Sequence, residues 1–254
     1  MGGKGSVRAK RVTKQVMTAA KVKKIVSNLA EKKVVMHSDS QELLSYNNAN
    51  WLAESMIPVS PFSFGMQIDQ GVSQDQRIGN KIRPVKTTLD LLMTPWSQDA
   101  TNNVNPTPVT VRIVVFSRKD TNDYPTNLAD FFQLGSTSTA PTSNGFDLIR
   151  HVNRDEYTPY LDTQVKLGTA EWSVGIGDTP NKGNYANNDF SSNCRVSLDI
   201  SKYIPSTVLY NDNNAQPSSR SVFVAWFAVR SDGLNAITTQ RYGTVFSQLK
   251  CTYT

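Results

Sequence analysis

The chain is poor in the residue types that most often carry chemistry, with 2 cysteines and 2 histidines among 254 residues. Cys194 and Cys251 are too few for a disulfide framework, and with His37 and His151 they do not form an ordinary zinc-ligand spacing, so two buried thiols are expected. No apolar run approaches the roughly 18 residues of a membrane helix, and the N-terminus lacks the apolar core of a secretory signal. Synthesis in a cytosol and no stable membrane insertion are expected. No G-x-S-x-G elbow accompanies the serines, and "GIGDTPNKG" (175–183) lacks the Gly-Lys-Ser/Thr ending of a phosphate loop. The acid pairs Asp120/Asp123 and Asp155/Glu156 fall at no recognised calcium spacing and read as turn residues. Catalytic residues, metal ligands and cofactors are all expected to be absent, and the chain is not read as an enzyme.

The most one-sided scarcity is that of acid at the start. Residues 1–33 hold Glu31 against Lys4, Arg8, Lys10, Arg11, Lys14, Lys21, Lys23, Lys24, Lys32 and Lys33, a net charge of +9. The whole chain carries +6, so residues 34–254 sum to −3. The basic character belongs to an arm, drawn as residues 1–40, ahead of a body drawn as 41–254. Wound as a helix over 10–33, the arm gathers Lys10, Lys14, Lys21, Lys24 and Lys32 into a stripe about 80° wide, with Val12, Val16, Ala19, Val22, Val26 and Leu29 broadly opposite. Valine and alanine on the apolar side argue against a membrane surface.

Closely spaced ammonium groups gain by releasing counterions from a phosphate backbone, so nucleic acid is the expected partner. The primary phosphate contacts are read as Lys4, Arg8, Lys10, Arg11, Lys14, Lys21, Lys23 and Lys24. Arg77, Lys81, Arg83 and Lys86 are secondary candidates because they lead into the first strand read from the sequence, although Arg83 and Lys86 are equally well read as surface charges for solubility. Lys10 and Arg11 followed by Lys21, Lys23 and Lys24 also form a loose bipartite nuclear-import signal, implying host import receptors. The arm contains no Phe, Tyr or Trp for base stacking.

From about residue 80 the pattern changes to short β-rich runs between polar turns. Strands are expected at 81–93, 109–118, 146–153, 157–166, 194–200, 206–210, 221–230 and 242–253, with one short helix at 127–134. "SVFVAWFAV" is apolar on both faces, which places it in the middle of a sandwich or against a neighbouring subunit. Eight strands joined by long polar loops fit an all-β, two-sheet jelly roll better than an up-and-down barrel.

"QGVSQDQRIGNKIRPVKTTLDLLM" (70–93) resembles the opening of capsid proteins from circovirus-like circular single-stranded DNA viruses, through Arg77, Ile78, Gly79, Asn80, Lys81 and Ile82. The order of later segments is similar: "VTVRIVVFSRKDTND", "NRDEYTPYLDTQVKL", "SLDISKYIPSTVLYND", "SVFVAWFAVRSDG" and "YGTVFSQLKCTYT". The resemblance spans about residues 70–254. It implies an eight-stranded viral jelly roll, self-assembly into an icosahedral shell of about 60 copies, packaging of single-stranded DNA by the arm, a cell-surface receptor, and residence in the virion and in the host nucleus and cytoplasm. The lysine-rich, helix-patterned arm departs from the arginine-dense arms of many relatives. Coats of small RNA or satellite viruses share the fold and form one alternative. A non-capsid nucleic-acid-binding β-sandwich is a second, and a jelly-roll carbohydrate-binding module a third that would leave the +9 arm unexplained.

Overall fold

The structure is a computed structural model that describes residues 31–44, 68–96, 107–120, 128–168, 193–212, 214–215, 217–219, 222–232 and 241–254. These residues form eleven strands and two 3-10 turns: β1 (Lys33–Leu44), β2 (Lys81–Ile82), β3 (Pro84–Pro95), β4 (Val109–Arg118), β5 (Phe132–Leu134), β6 (Thr137–Thr139), β7 (Tyr157–Leu167), β8 (Cys194–Asp199), β9 (Val208–Leu209), β10 (Phe223–Arg230) and β11 (Arg241–Tyr253). None of the described helices is long and apolar enough to cross a membrane.

Period-2 patterning sets the main sheet. In β3, Thr87, Leu89, Leu91 and Met93 are buried while Lys86 and Leu92 are exposed, and β11 alternates likewise. The sheet runs β1-β11-β3-β8, and a second runs β10-β4-β7, every named pair being antiparallel. Among the long strands, β4 pairs with β7, β3 with β8 and β1 with β11, three pairs nested one inside the next along the chain. At Gly243 a Cβ would stand 2.2 Å from the Thr94 carbonyl oxygen, so only glycine lets β11 and β3 approach there.

The sheets face each other across a core that includes Leu89, Leu91, Met93, Val245 and Leu249 from one side and Val111, Ile113, Val115, Val224 and Trp226 from the other. A second apolar cluster lies on the far face of the smaller sheet, where Val114, Phe116, Phe223, Ala225 and Phe227 meet Leu128, Phe131, Phe132, Val152 and Tyr157. Its rings pack edge-on, as with Phe116 and Phe131 at 5.1 Å and 68°. This is why β10 is apolar on both faces: it lies between two cores. Trp226 is buried, as the sequence implied.

A buried ionic knot fastens the covering loop. Arg112, on β4, donates through Nε to Asp162 at 2.8 Å and through an η nitrogen to the carbonyls of Asp147 (2.5 Å) and Arg150 (2.8 Å). Asp147 is fully buried and accepts from the amides of Thr142 and Ser143, the Thr142 hydroxyl and the Arg150 guanidinium. Burial dominates and raises its pKa above the ordinary 3.8, although each of these donors pulls the other way.

Several expectations change. Residues 146–153 do not form a strand: the side chain of Asn144 accepts from the Phe146 amide and starts a 3-10 turn at Gly145–Leu148. The expected helix at 127–134 is, over its described part, a turn leading into β5, because Phe132 pairs with Thr139 across the hairpin. The helix read over 10–33 gives way at its end to β1, which starts at Lys33, and residues 31–32 before it are irregular; residues 10–30 lie outside the described residues. β1 was not anticipated at all, and the 40/41 boundary between arm and body falls within it. Consequently the strand after Arg77 is not the first of the sheet. Cys251 is buried and Cys194 half-buried, and both are free.

Candidate nucleic-acid interface

The pairing register brings the start of β1, the start of β3 and the end of β11 to one end of the larger sheet. Val34 lies opposite Thr252, and Thr252 opposite Lys86. The last residue of β8, Asp199, pairs with Thr88 beside them. The basic arm therefore joins the body at this end.

Lys32, Arg83, Lys86 and Lys250 are exposed here, and so is Lys202 in the turn after β8. None of these forms an ion pair with a described residue. Asp199 is an anionic counterweight to two of them: its pKa is lowered first by the side-chain and backbone hydrogen bonds of Ser201, then by the charges of Lys86 and Lys202. Lys202 also sits 4.8 Å from the centre of the Tyr203 ring, which stacks on Tyr160 at 5.1 Å. Four of the five are lysines, compact point charges that suit phosphates rather than base edges.

Farther along the same face the charges are matched. Arg195 lies 3.8 Å from Asp90, and Arg241 lies 2.9 Å from Glu42. Between them Leu92 and Phe246 floor an open depression of about 720 Å³ whose rim includes Ser38, Ser40, Asp90 and Arg195. That part offers a polyanion little.

Two cations behave differently from the sequence reading. Arg77 was a secondary phosphate contact, but it is fully buried. Its Nε donates to the Ile68 carbonyl at 3.1 Å, and its η nitrogens reach the carbonyls of Gly79, Asn211 (3.4 Å) and Asn214 (2.9 Å) and the side chain of Asn80 (3.3 Å). The guanidinium also lies 4.5 Å from the Tyr210 ring centre. With its donors spent inside the body it cannot meet a phosphate without unfolding the loop. Lys33, counted with the arm, is buried as well, and its ammonium donates to the Ser73 and Gln76 carbonyls at 3.0 and 2.9 Å. It fixes where the arm leaves.

Lys81 is exposed on β2, opposite Leu209 of β9, and remains free to bind. Lys4, Arg8, Lys10, Arg11, Lys14, Lys21, Lys23 and Lys24 lie outside the described residues. Lys202 and Lys250 were missed because each stands alone in sequence; only the sheet register draws them together. Among the described residues, no three His, Cys, Asp or Glu side chains come together as a metal site. No protein-family model matches the chain, and no curated protein matches it significantly.

Proposed function

We propose that the chain is the coat subunit of a small virus, assembling with copies of itself into an icosahedral shell and binding a single-stranded genome through its N-terminal arm. The observation that carries this is the convergence of charge: a segment of net charge +9 enters the body at Lys33, beside Lys86, Lys202 and Lys250, while residues 34–254 sum to −3. Such a layout gives one cationic side suited to a polyanion and leaves the rest of the surface free for other contacts.

The finer fold is read as a viral jelly roll. A jelly roll is a long antiparallel ribbon of nested strand pairs rolled up so that successive pairs alternate between two sheets. The nested pairs β1–β11, β3–β8 and β4–β7 fit that plan, with the first two in one sheet and the last in the other. The plan also requires a partner for β10 from the chain between β1 and β3, most of which lies outside the described residues. The resemblance of residues 70–254 to circovirus-like capsid proteins favours DNA as the genome. Assembly needs no catalysis; subunits gain by burying surface, and the genome screens arm from arm.

Purified protein, examined by size-exclusion chromatography and electron microscopy, is expected to contain megadalton particles. Nucleic acid extracted from them should be lost to DNase and survive RNase. A species of tens of kilodaltons under assembly conditions would overturn the coat reading, whereas loss to RNase alone would overturn only the assignment of DNA.

A further inference from the structure

β1 is an edge strand. It spans twelve residues, about 40 Å of extended chain, and none of the described residues pairs with its outer side. Edge strands of that length are normally blunted by proline, by a bulge or by an inward-pointing charge. β1 contains no proline and keeps its register with β11 from Lys33 to Leu43; the register shift at Leu43/Leu44, the buried Lys33 and Asp39, which falls on the same side as buried Val35 and Leu43, blunt it only in part. The Ser40 amide donates to the Asp39 carboxylate at 2.8 Å, so it is turned away from the β11 ladder. Since alternate residues of an antiparallel strand turn their peptide groups to opposite sides, Val34, Met36, Ser38, Ser40 and Glu42 present theirs outward.

We infer that β1 pairs antiparallel with β1 of a second copy about a two-fold axis at Ser38, joining two four-stranded sheets into one of eight. Side-chain complementarity selects the register. Centred on Ser38, His37 faces the partner subunit's Asp39 on both sides of the axis, Met36 faces the partner subunit's Ser40, and no like charges oppose. Centred on Asp39, two carboxylates meet; centred on His37, the imidazoles meet and Val35 faces a carboxylate. The inference rests on the proposed self-association, but not on a closed shell or a genome.

Disulfide trapping in the full chain, with Cys194→Ser as background, tests the register. A hydrogen-bonded pair holds its Cα atoms about 5.5 Å apart, within disulfide range. Ser38→Cys should give a covalent dimer on mild oxidation. Met36→Cys and Ser40→Cys should not do so alone, but should cross-link when the two proteins are mixed. No dimer at Ser38, or equal dimer at all three positions, would overturn the pairing; the first outcome would mean that something else covers the edge. Ser38→Pro removes an outward amide and spares the backbone ladder to β11, losing on that side only the Gln248 side-chain bond, so it should lower the sedimenting mass while the protein still folds cooperatively. A folded Ser38→Pro protein that associates as before would also overturn the pairing. Particles without cross-linking would refute the strand pairing and leave the coat reading standing; cross-linked dimers that never form particles would do the reverse.

Discussion

Arg77 and Asp147 are charged groups that the fold has taken out of water, and each makes a measurable demand on it. Among the described residues Arg77 has no carboxylate partner; its charge is held by carbonyls from three separate stretches of chain and by the Tyr210 ring. Replacing it with glutamine leaves most of those oxygens without donors, so Arg77→Gln should lower stability by about 3 to 5 kcal/mol in urea titrations. Its nucleic-acid affinity, measured where it remains folded, should keep the parent's dependence on salt. A reduced salt slope would return Arg77 to the interface. For Asp147 the sign follows from its raised pKa. The folded chain binds this proton more tightly than the unfolded one, so the group's contribution is most favourable below pH 3.8, falls as pH rises through the raised pKa, and is flat above it. The stability of the parent relative to Asp147→Asn, followed by denaturation from pH 3 to 8, should fall across that window.

Among the elements, β10 is the most informative. Its inner face packs in the sandwich core and its outer face in the aromatic cluster, so Trp226→Ala should cost about 3 to 5 kcal/mol and reduce soluble protein. A variant that melts like the parent would remove Trp226 from the core. Strands β4, β7, β8, β10 and β11 were legible because burial writes itself as runs or alternations of apolar residues. β1 was not: His37 to Glu42 are polar at a sheet edge where one side needs no apolar cover, and Lys33 reads as arm until its ammonium is seen to be buried. The stretch 146–153 misled in the opposite sense. Phe146 and Ile149 are apolar but exposed, held out by the turn that Asn144 begins. In the candidate site, Arg83 and Lys86 were legible as basic residues near a strand start. Arg77 was misread because sequence records charge and not which carbonyls surround it.

At the scale of the whole molecule, the Lys33 anchor decides where the arm can be cut. Removing residues 1–30 deletes eight cations and no acid, taking the net charge from +6 to −2 while sparing β1 and the Lys33 contacts. That protein should fold and melt like the parent. Its binding to single-stranded DNA should lose up to eight phosphate contacts at about 0.7 each, flattening the plot of log affinity against log salt by up to about 6. An unchanged slope would assign binding to the body cations alone. Extending the deletion through Lys33 should additionally lower the melting temperature.

The pairing of β1 with β11 also reaches into protein synthesis. Gln248 hydrogen-bonds Ser38 across 210 positions of chain, and β11 is the described strand that joins β1 to β3. At about 5 to 20 residues per second, β1 therefore leaves the ribosome about 10 to 40 s before its partner exists. A chain released early lacks that partner and cannot bring its arm and the β3 cations to the same end of a sheet. Translation errors that end the chain before β11 thus leave β1 and β3 without the strand that joins them.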